Sequence, residues 1–414
     1  LMSVQWVLWG YSLAFSTAEG DANQFMGGLD YVGFNQVSPF APLMGGGELV
    51  PCSDTWAGAY QMNAMVEEAQ CSDGWPTTIP HQLFAVFQGT FAIITPALII
   101  GGLVDRIKFS AIVIFVLIWG TFVYDPVAHW VWGGGFIGGG GLDFVQDNTP
   151  EGISSPSYAL DFAGGTVVHI TSGFAALAGA LVLGRRLGYG KVPMEPHNIP
   201  FVVLGASILW FGWFGFNAGS EAQVDGITVS AWTVTNTATG MAVVTWVLMS
   251  WAHTGKPSVI GAASGAVAGL VAITPASGWV GPMAAIIIGI AAGTVCYAAI
   301  AFKNARKWDD ALDVWGVHGI GGLTGAILTG TLASPHIWDT GDGIGAWTGT
   351  PEGMEQQAIS IIAAAISVAY AFSVTIVIFK VMDAVWPGGI RVTPKEEEIG
   401  IDLAQHGERA YVNE

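Results

Sequence analysis

The chain is 414 residues long, 52% hydrophobic and only 11% charged, with a formal net charge of −18 and a mean hydropathy of +0.54. A soluble domain of average composition is about 25% charged, so a water-soluble globular protein is excluded, and the acidic balance excludes a nucleic-acid binder. Apolar runs of roughly 20 residues recur, each long enough to cross the hydrocarbon core, which describes an all-α polytopic membrane protein.

In chain order, apolar patterning predicts membrane helices over 82–103, 109–128, 162–184, 199–219, 230–252, 258–275, 280–302, 313–333 and 358–380. Half a span, "SVQWVLWGYSLAFS", precedes them. The stretch from Leu1 to Ser16 is short for a crossing and has no polar flank before it. Leu1 therefore reads as an internal start, with helical material missing ahead of it.

The 13 Lys and Arg residues give the orientation. They fall at Arg106 and Lys108, at Arg185, Arg186 and Lys191, at Lys256, at Lys303, Arg306 and Lys307, and at Lys380, Arg391, Lys395 and Arg409. The intervening connections, 17–81, 129–160, 220–229, 276–279 and 334–357, contain none. By the positive-inside rule those connections are external and the tail is cytoplasmic. Residues 1–385 then form the transmembrane domain and 386–414 a charged tail. The negative charge comes largely from acidic external loops, including Glu19, Asp21, Asp30, Glu48, Asp54, Glu67, Glu68 and Asp73 of the first. Such a surface concentrates cations, although a solvated acidic face has the same composition.

That loop also holds Cys52 and Cys71, two of the three cysteines; the third, Cys296, lies within a span. An external pair could form a disulfide. It would close a loop of about 20 residues, worth roughly 3 kcal/mol. No spacing of Cys and His suggests a metal or another cofactor.

Among the 58 glycines, Gly261, Gly265 and Gly269 form a double GxxxG, and Gly322, Ala326 and Gly330 repeat the spacing. Small residues at this period let helices approach closely in lipid. A second regularity is an internal echo. "VVHITSGFAALAGALVLG" and "GVHGIGGLTGAILTG" each carry a histidine followed four residues later by glycine, His169 with Gly173 and His318 with Gly322. An aspartate precedes each span, Asp161 and Asp313. Weak internal symmetry of this kind marks transporters built from inverted repeats.

Of eight histidines, only His169 and His318 fall well inside spans. Ionisable groups at depth are costly and mark pathways; a neutral imidazole satisfied by a neighbouring hydroxyl is the structural alternative. Capping of helix N–H groups accounts for Asp313 and for part of Asp161, whose charge also acts on the site below it. No third ligand or HExxH pattern supports a metallohydrolase, so a conduit for a small polar species fits the two imidazoles better.

"LDFAGGTVVHI", "WFGFNAGS", "DVWGVHGIGG", "TFVYDPVAHWVWGGG", "FQGTF" and the tail "GGIRVTPKEEEIGIDLAQHGERAY" closely resemble the ammonium transporter family, in its ammonium transporter rather than its Rhesus branch, from about residue 6 to 411. The resemblance implies a homotrimer of eleven-helix subunits with inverted five-helix repeats, the first helix and part of the second being absent from this chain. It implies an external vestibule in which Phe87, Trp132 and Ser220, with Asp161 below, recruit ammonium. Phe87 and Phe91 would form a gate, and His169 and His318 the paired pore histidines that pass ammonia and relay its proton. It implies a multi-pass cell-membrane location, and a tail that contacts the neighbouring subunit and answers to PII-type regulators. An ammonium sensor and an electroneutral gas channel are the alternatives this resemblance leaves open. The segments 35–80, 138–158 and 335–356 exceed the family's usual lengths, and Asp125 in "VYDPVAH" is a further carboxylate that none of these readings uses.

Overall fold

The computed structural model describes residues 1–37, 39, 79–138, 158–338 and 345–409, with the backbone of a short antiparallel pair at Met44–Gly45 and Glu48–Leu49. Cys52 and Cys71 lie outside the described residues, as does most of 35–80 and 138–158.

Apart from that pair, the described chain is a helical bundle. Helix α1 runs unbroken over residues 2–15, followed by α2, His81–Leu103, and α3, Phe109–Trp132. Next come α4, Gly165–Leu183, and α5, Ile199–Glu221; then α6, Gly226–Thr254, α7, Val259–Ala276, and α8, Pro282–Arg306. Helix α9 covers 315–332, α10 is Pro351–Val385, and α11, Pro394–Ile399, is a short tail helix. Seven of these are long and apolar enough to cross a membrane by themselves. Each span expected from the sequence has its helix, with ends that differ by a few residues.

Local chemistry sets several of the ends. Asn198 Oδ1 accepts from Phe201 N ahead of α5, and Asp225 closes a capping box at α6. Ser258 Oγ accepts from Gly261 N at α7, and Thr350 Oγ1 from Gly353 N at α10. Each bond satisfies one of the backbone donors that a helix start leaves free. The glycine ridge on α7 packs as its spacing requires. A Cβ at Gly265 would meet the Ala242 carbonyl and the Trp246 ring of α6, and one at Gly269 would meet Ala238 O and Thr239 Cα.

All four ion pairs found among the described residues sit at one end of the bundle. Arg186 reaches Asp105 at 3.0 Å and Asp309 at 2.8 Å. The buried Arg106 guanidinium donates to the carbonyls of Gly102 and Asp309. The tail is tied down at the same end. Arg391 donates to the carbonyls of Leu183 and Arg185, both at 2.7 Å, and pairs with Glu397 at 2.8 Å. Lys108 Nζ donates to the carbonyls of Pro387, Gly388 and Gly389. This clustering is the spatial form of the alternating basic connections.

Candidate functional site

The site is built where α4 and α9 cross. Ahead of α4, Asp161 Oδ1 accepts from the backbone N–H of Gly164 (2.9 Å) and Gly165 (2.6 Å), and Oδ2 from Thr166 (2.8 Å) and Val167 (3.1 Å). All the free donors of this helix start converge on one buried carboxylate. Asp161, expected among the substrate-binding residues, is in this structure the cap of α4, its two oxygens accepting four backbone N–H groups. Its influence on the site is through its charge and through the backbone it holds.

At the start of α9 the equivalent carboxylate is Asp310, whose Oδ2 accepts from Trp315 N at 2.7 Å. The expected cap, Asp313, instead adopts a left-handed φ of 59° and pairs with Lys303 at 2.7 Å. Asp310 precedes His318 by the same eight residues that separate Asp161 from His169. The internal echo therefore extends to the caps once Asp310 replaces Asp313.

The first turn of each helix is a π-turn, Gly165–Ile170 carrying His169 and Trp315–Gly319 carrying His318. The helices cross without side chains between them. A Cβ at Gly173 would lie 2.1 Å from Gly319 N, and one at Gly322 would lie 2.7 Å from Gly165 O and 2.9 Å from His169 Cβ. Each histidine's fourth-following glycine thus packs on the other histidine's turn, which is the reciprocal contact an inverted repeat produces. The approach leaves His169 Nδ1 3.3 Å from His318 Nδ1. His169 is fully buried and its Nε2 has no hydrogen-bond partner. His318 is slightly exposed and lines a cavity of about 320 Å³ with Phe201, Leu209, Ala263, Ser264 and Leu312.

On the other side of His169 stands a column of aromatic rings. Trp213 and Phe216 of α5 lie flat beside its imidazole, at ring-centroid distances of 5.4 Å and 5.7 Å. Phe91 meets Phe216 edge-on at 4.7 Å, Phe87 meets Phe91 at 5.0 Å, and Trp132 meets Phe91 at 5.8 Å. The indole nitrogens are tied away from the column, Trp132 Nε1 to Asp161 O (2.9 Å) and Trp213 Nε1 to Thr274 Oγ1 (2.8 Å). Ser220 Oγ donates to Phe216 O, and the adjacent Gly219 packs against the Phe87 ring. Phe87, Phe91, Trp132, Ser220, His169 and His318 are thus brought into one continuous arrangement.

Trp213, Phe216 and Asp310 join the site without having been singled out in the sequence. A signal for two of them was present: Trp213, Phe216 and Ser220 are spaced three and four apart in "WFGFNAGS", so they share a helix face. Among the described residues no His, Cys, Asp and Glu side chains gather in a metal-binding group.

The chemistry of the histidine pair follows from its geometry. Two Nδ1 atoms at 3.3 Å form a hydrogen bond only when one carries hydrogen and the other a lone pair. The two neutral rings are then opposite tautomers, so one Nε2 is an acceptor and the other an N–H donor. Faced with a small amine, such a pair can accept from it at one end and donate to it at the other.

The profile of the Ammonium Transporter Family matches residues 1–411. An ammonium transporter of Bacillus subtilis is 42% identical over 99% of this chain and 87% of its own length. One of Aquifex aeolicus is 42% identical over 99% of this chain and 82% of its own. The crystal structure of Saccharomyces cerevisiae Mep2 superposes with a TM-score of 0.76 at 31% identity, covering 95% of this chain and 77% of that one. With the paired buried histidines, the helical bundle and these matches together, the chain belongs to the ammonium transporter family.

Proposed function

We propose that this transporter captures ammonium at the aromatic mouth formed by Phe87, Trp132 and Ser220, and that the proton it sheds is taken up by the lone-pair nitrogen of the histidine pair. Ammonia then passes Phe91 and Phe216 and runs along His169 and His318, and it regains a proton in the cavity below His318. The observation that carries this reading is the imidazole pair, buried, in Nδ1 contact, and connected at its two ends to an aromatic column and to a cavity. Moving a bare cation through such a slot would cost on the order of 20 kcal/mol by the Born estimate. Ammonium avoids that by shedding its proton, which potassium cannot do. Aromatic faces attract a cation at the mouth by up to ~2 kcal/mol when desolvated, and the ionised Asp161 adds favourable potential behind Trp132. The Nδ1–Nδ1 bond gives the proton a route parallel to the ammonia, so that transport is electrogenic.

The basic end and the tail face the cytoplasm in this reading, with the protein in the cell membrane. The subunit works as a homotrimer, whose copies cover apolar surface such as that of α5, where residues 199–217 bury only Trp213 and Asn217. The tail, held by Arg391 and Lys108, is the docking point for a PII-type regulator.

The test is solid-supported-membrane electrophysiology on the full chain in liposomes, comparing the parent with His169→Leu/His318→Leu. Loss of the ammonium-evoked current is expected. A current of parental size in a correctly folded double variant would overturn the relay, and an electrically silent parent that still equilibrates ammonia would overturn electrogenic transport.

A further inference from the structure

The π-turns of the membrane helices come in two pairs. One pair carries the two pore histidines. The other, Trp6–Gly10 in α1 and Gly120–Tyr124 in α3, flanks a second buried polar contact that the transport route does not use. Gln5 immediately precedes the first of these turns, and Asp125 immediately follows the second. Such turns, rare within α-helices, concentrate at functional positions.

Gln5 Nε2 donates to Asp125 Oδ2 at 2.7 Å, and both residues are buried. Each keeps one oxygen without a donor, Gln5 Oε1 and Asp125 Oδ1. The Gln5 amide is held in place by Gly10, where a Cβ would come within 2.7 Å of both its oxygen and its nitrogen. Asp125 lies seven residues inside the end of α3 at Trp132, about 10 Å along the helix at 1.5 Å per residue. No basic side chain pairs with it, since the ion pairs among the described residues are all at the far, basic end.

None of the titratable groups on the surrounding helices bonds to the Asp125 carboxylate. On α3 itself the neighbours are Tyr124, whose Oη is also buried without a partner, and His129, one turn further on, whose Nδ1 and Nε2 are engaged by the carbonyls of Ala14 (2.9 Å) and Asn23 (2.6 Å). Helix α1 contributes Tyr11, bonded to His81 Nε2 at 2.6 Å, and His81 is the one titratable residue of α2. From α10, Tyr370 donates to Phe122 O at 2.7 Å, while Lys380 and Asp383 lie toward the basic end of that helix. An ionised Asp125 would therefore leave a buried charge with no bonded basic side chain next to an unpaired amide oxygen, at a high cost. One proton would remove the charge, and on Oδ1 it could be donated to the partnerless Oε1 of the same amide whose Nε2 already bonds Oδ2.

We infer that Asp125 is a resident proton-binding site, separate from the histidine pair, in which the protonated carboxyl and the Gln5 amide close a neutral acid–amide pair that fastens α1 to α3. The proton is the ligand, and its departure at alkaline pH leaves an anion between two helices and loosens their contact.

Infrared spectroscopy on the full chain in liposomes, in H2O and D2O, tests this. At neutral pH the parent should show a protonated-carboxyl band that Asp125→Asn loses; the asparagine preserves shape and an amide–amide contact. On raising the pH, the parent's band and its melting temperature should fall together, and Asp125→Asn should lack that component of the fall. Gln5→Met gives an independent reading, because removing the Nε2 donor should shift the acid band to higher frequency. A spectrum in which neither substitution alters a protonated-carboxyl band overturns the proposal. So does a carboxylate band at neutral pH together with a melting temperature raised by sodium or potassium over choline at equal ionic strength, which would mean that a metal cation occupies the site.

Discussion

Replacing Gly173 with alanine tests the reasoning about the helix crossing at its tightest point. The new methyl carbon would lie 2.1 Å from Gly319 N and 2.3 Å from Gly319 Cα, where ordinary contact begins at 3.4 Å. Both of those atoms belong to backbone, so no side chain can turn aside, and α4 must move away from α9 by more than an ångström. Overpacking of this kind typically costs about 1–3 kcal/mol. The functional cost is larger in proportion. The imidazoles are 3.3 Å apart at Nδ1, and a comparable separation carries them past hydrogen-bonding distance. A lower melting temperature and a severely reduced ammonium-evoked current are expected for Gly173→Ala. Gly240→Ala on α6 is the matched control, since a Cβ there meets nothing within 4 Å. A Gly173→Ala protein that melts and conducts like the Gly240→Ala control would refute the argument that side-chain-free contact between these helices holds the pair in register.

Asp161→Asn replaces a carboxylate that accepts from four N–H groups with an amide having one acceptor oxygen. Two buried donors are left unsatisfied at about 1–3 kcal/mol each, so thermal unfolding should show a marked loss of stability and the current should fall as well; an unchanged melting curve contradicts the capping role. At the basic end, burial works to raise the Asp309 carboxyl, but its hydrogen bonds from Arg186 and the charges of Arg186 and Arg106 outweigh that and hold it below its ordinary value. A carboxylate depressed in the folded state adds stability above its unfolded pKa of about 3.9 and loses it as pH falls through the folded value. Acid unfolding below about pH 4 should therefore shift to higher pH in Arg186→Met, as followed by circular dichroism against pH; an unshifted acid transition would show that the pair adds nothing.

The membrane spans were legible because lipid imposes a one-dimensional rule: about 20 apolar residues, with basic flanks on one side. The histidines were legible because an ionisable side chain inside such a run is costly enough to be rare. The glycine spacing on α7 was readable for the same reason, since GxxxG acts through helix periodicity alone. Trp213 and Phe216 were harder, because in an apolar helix an aromatic ring facing a pore and one facing lipid look alike. Asp310 was missed for a different reason. Asp309, Asp310 and Asp313 crowd into five residues, and the left-handed φ at Asp313 turns its side chain to Lys303.

The amino-acid order by itself thus determined the number and placement of the spans, the alternation of basic connections and the repeated His–x–x–x–Gly motif, since each depends only on neighbours along the chain. Tertiary structure alone decided that the two histidines meet through Nδ1, that Trp213 and Phe216 continue the aromatic column, and that Asp125 finds Gln5. Those contacts join residues 149, 44 and 120 positions apart for His169–His318, Trp213–His169 and Gln5–Asp125. No helical or strand period relates such separations, so only the packing of whole helices against each other could bring them together.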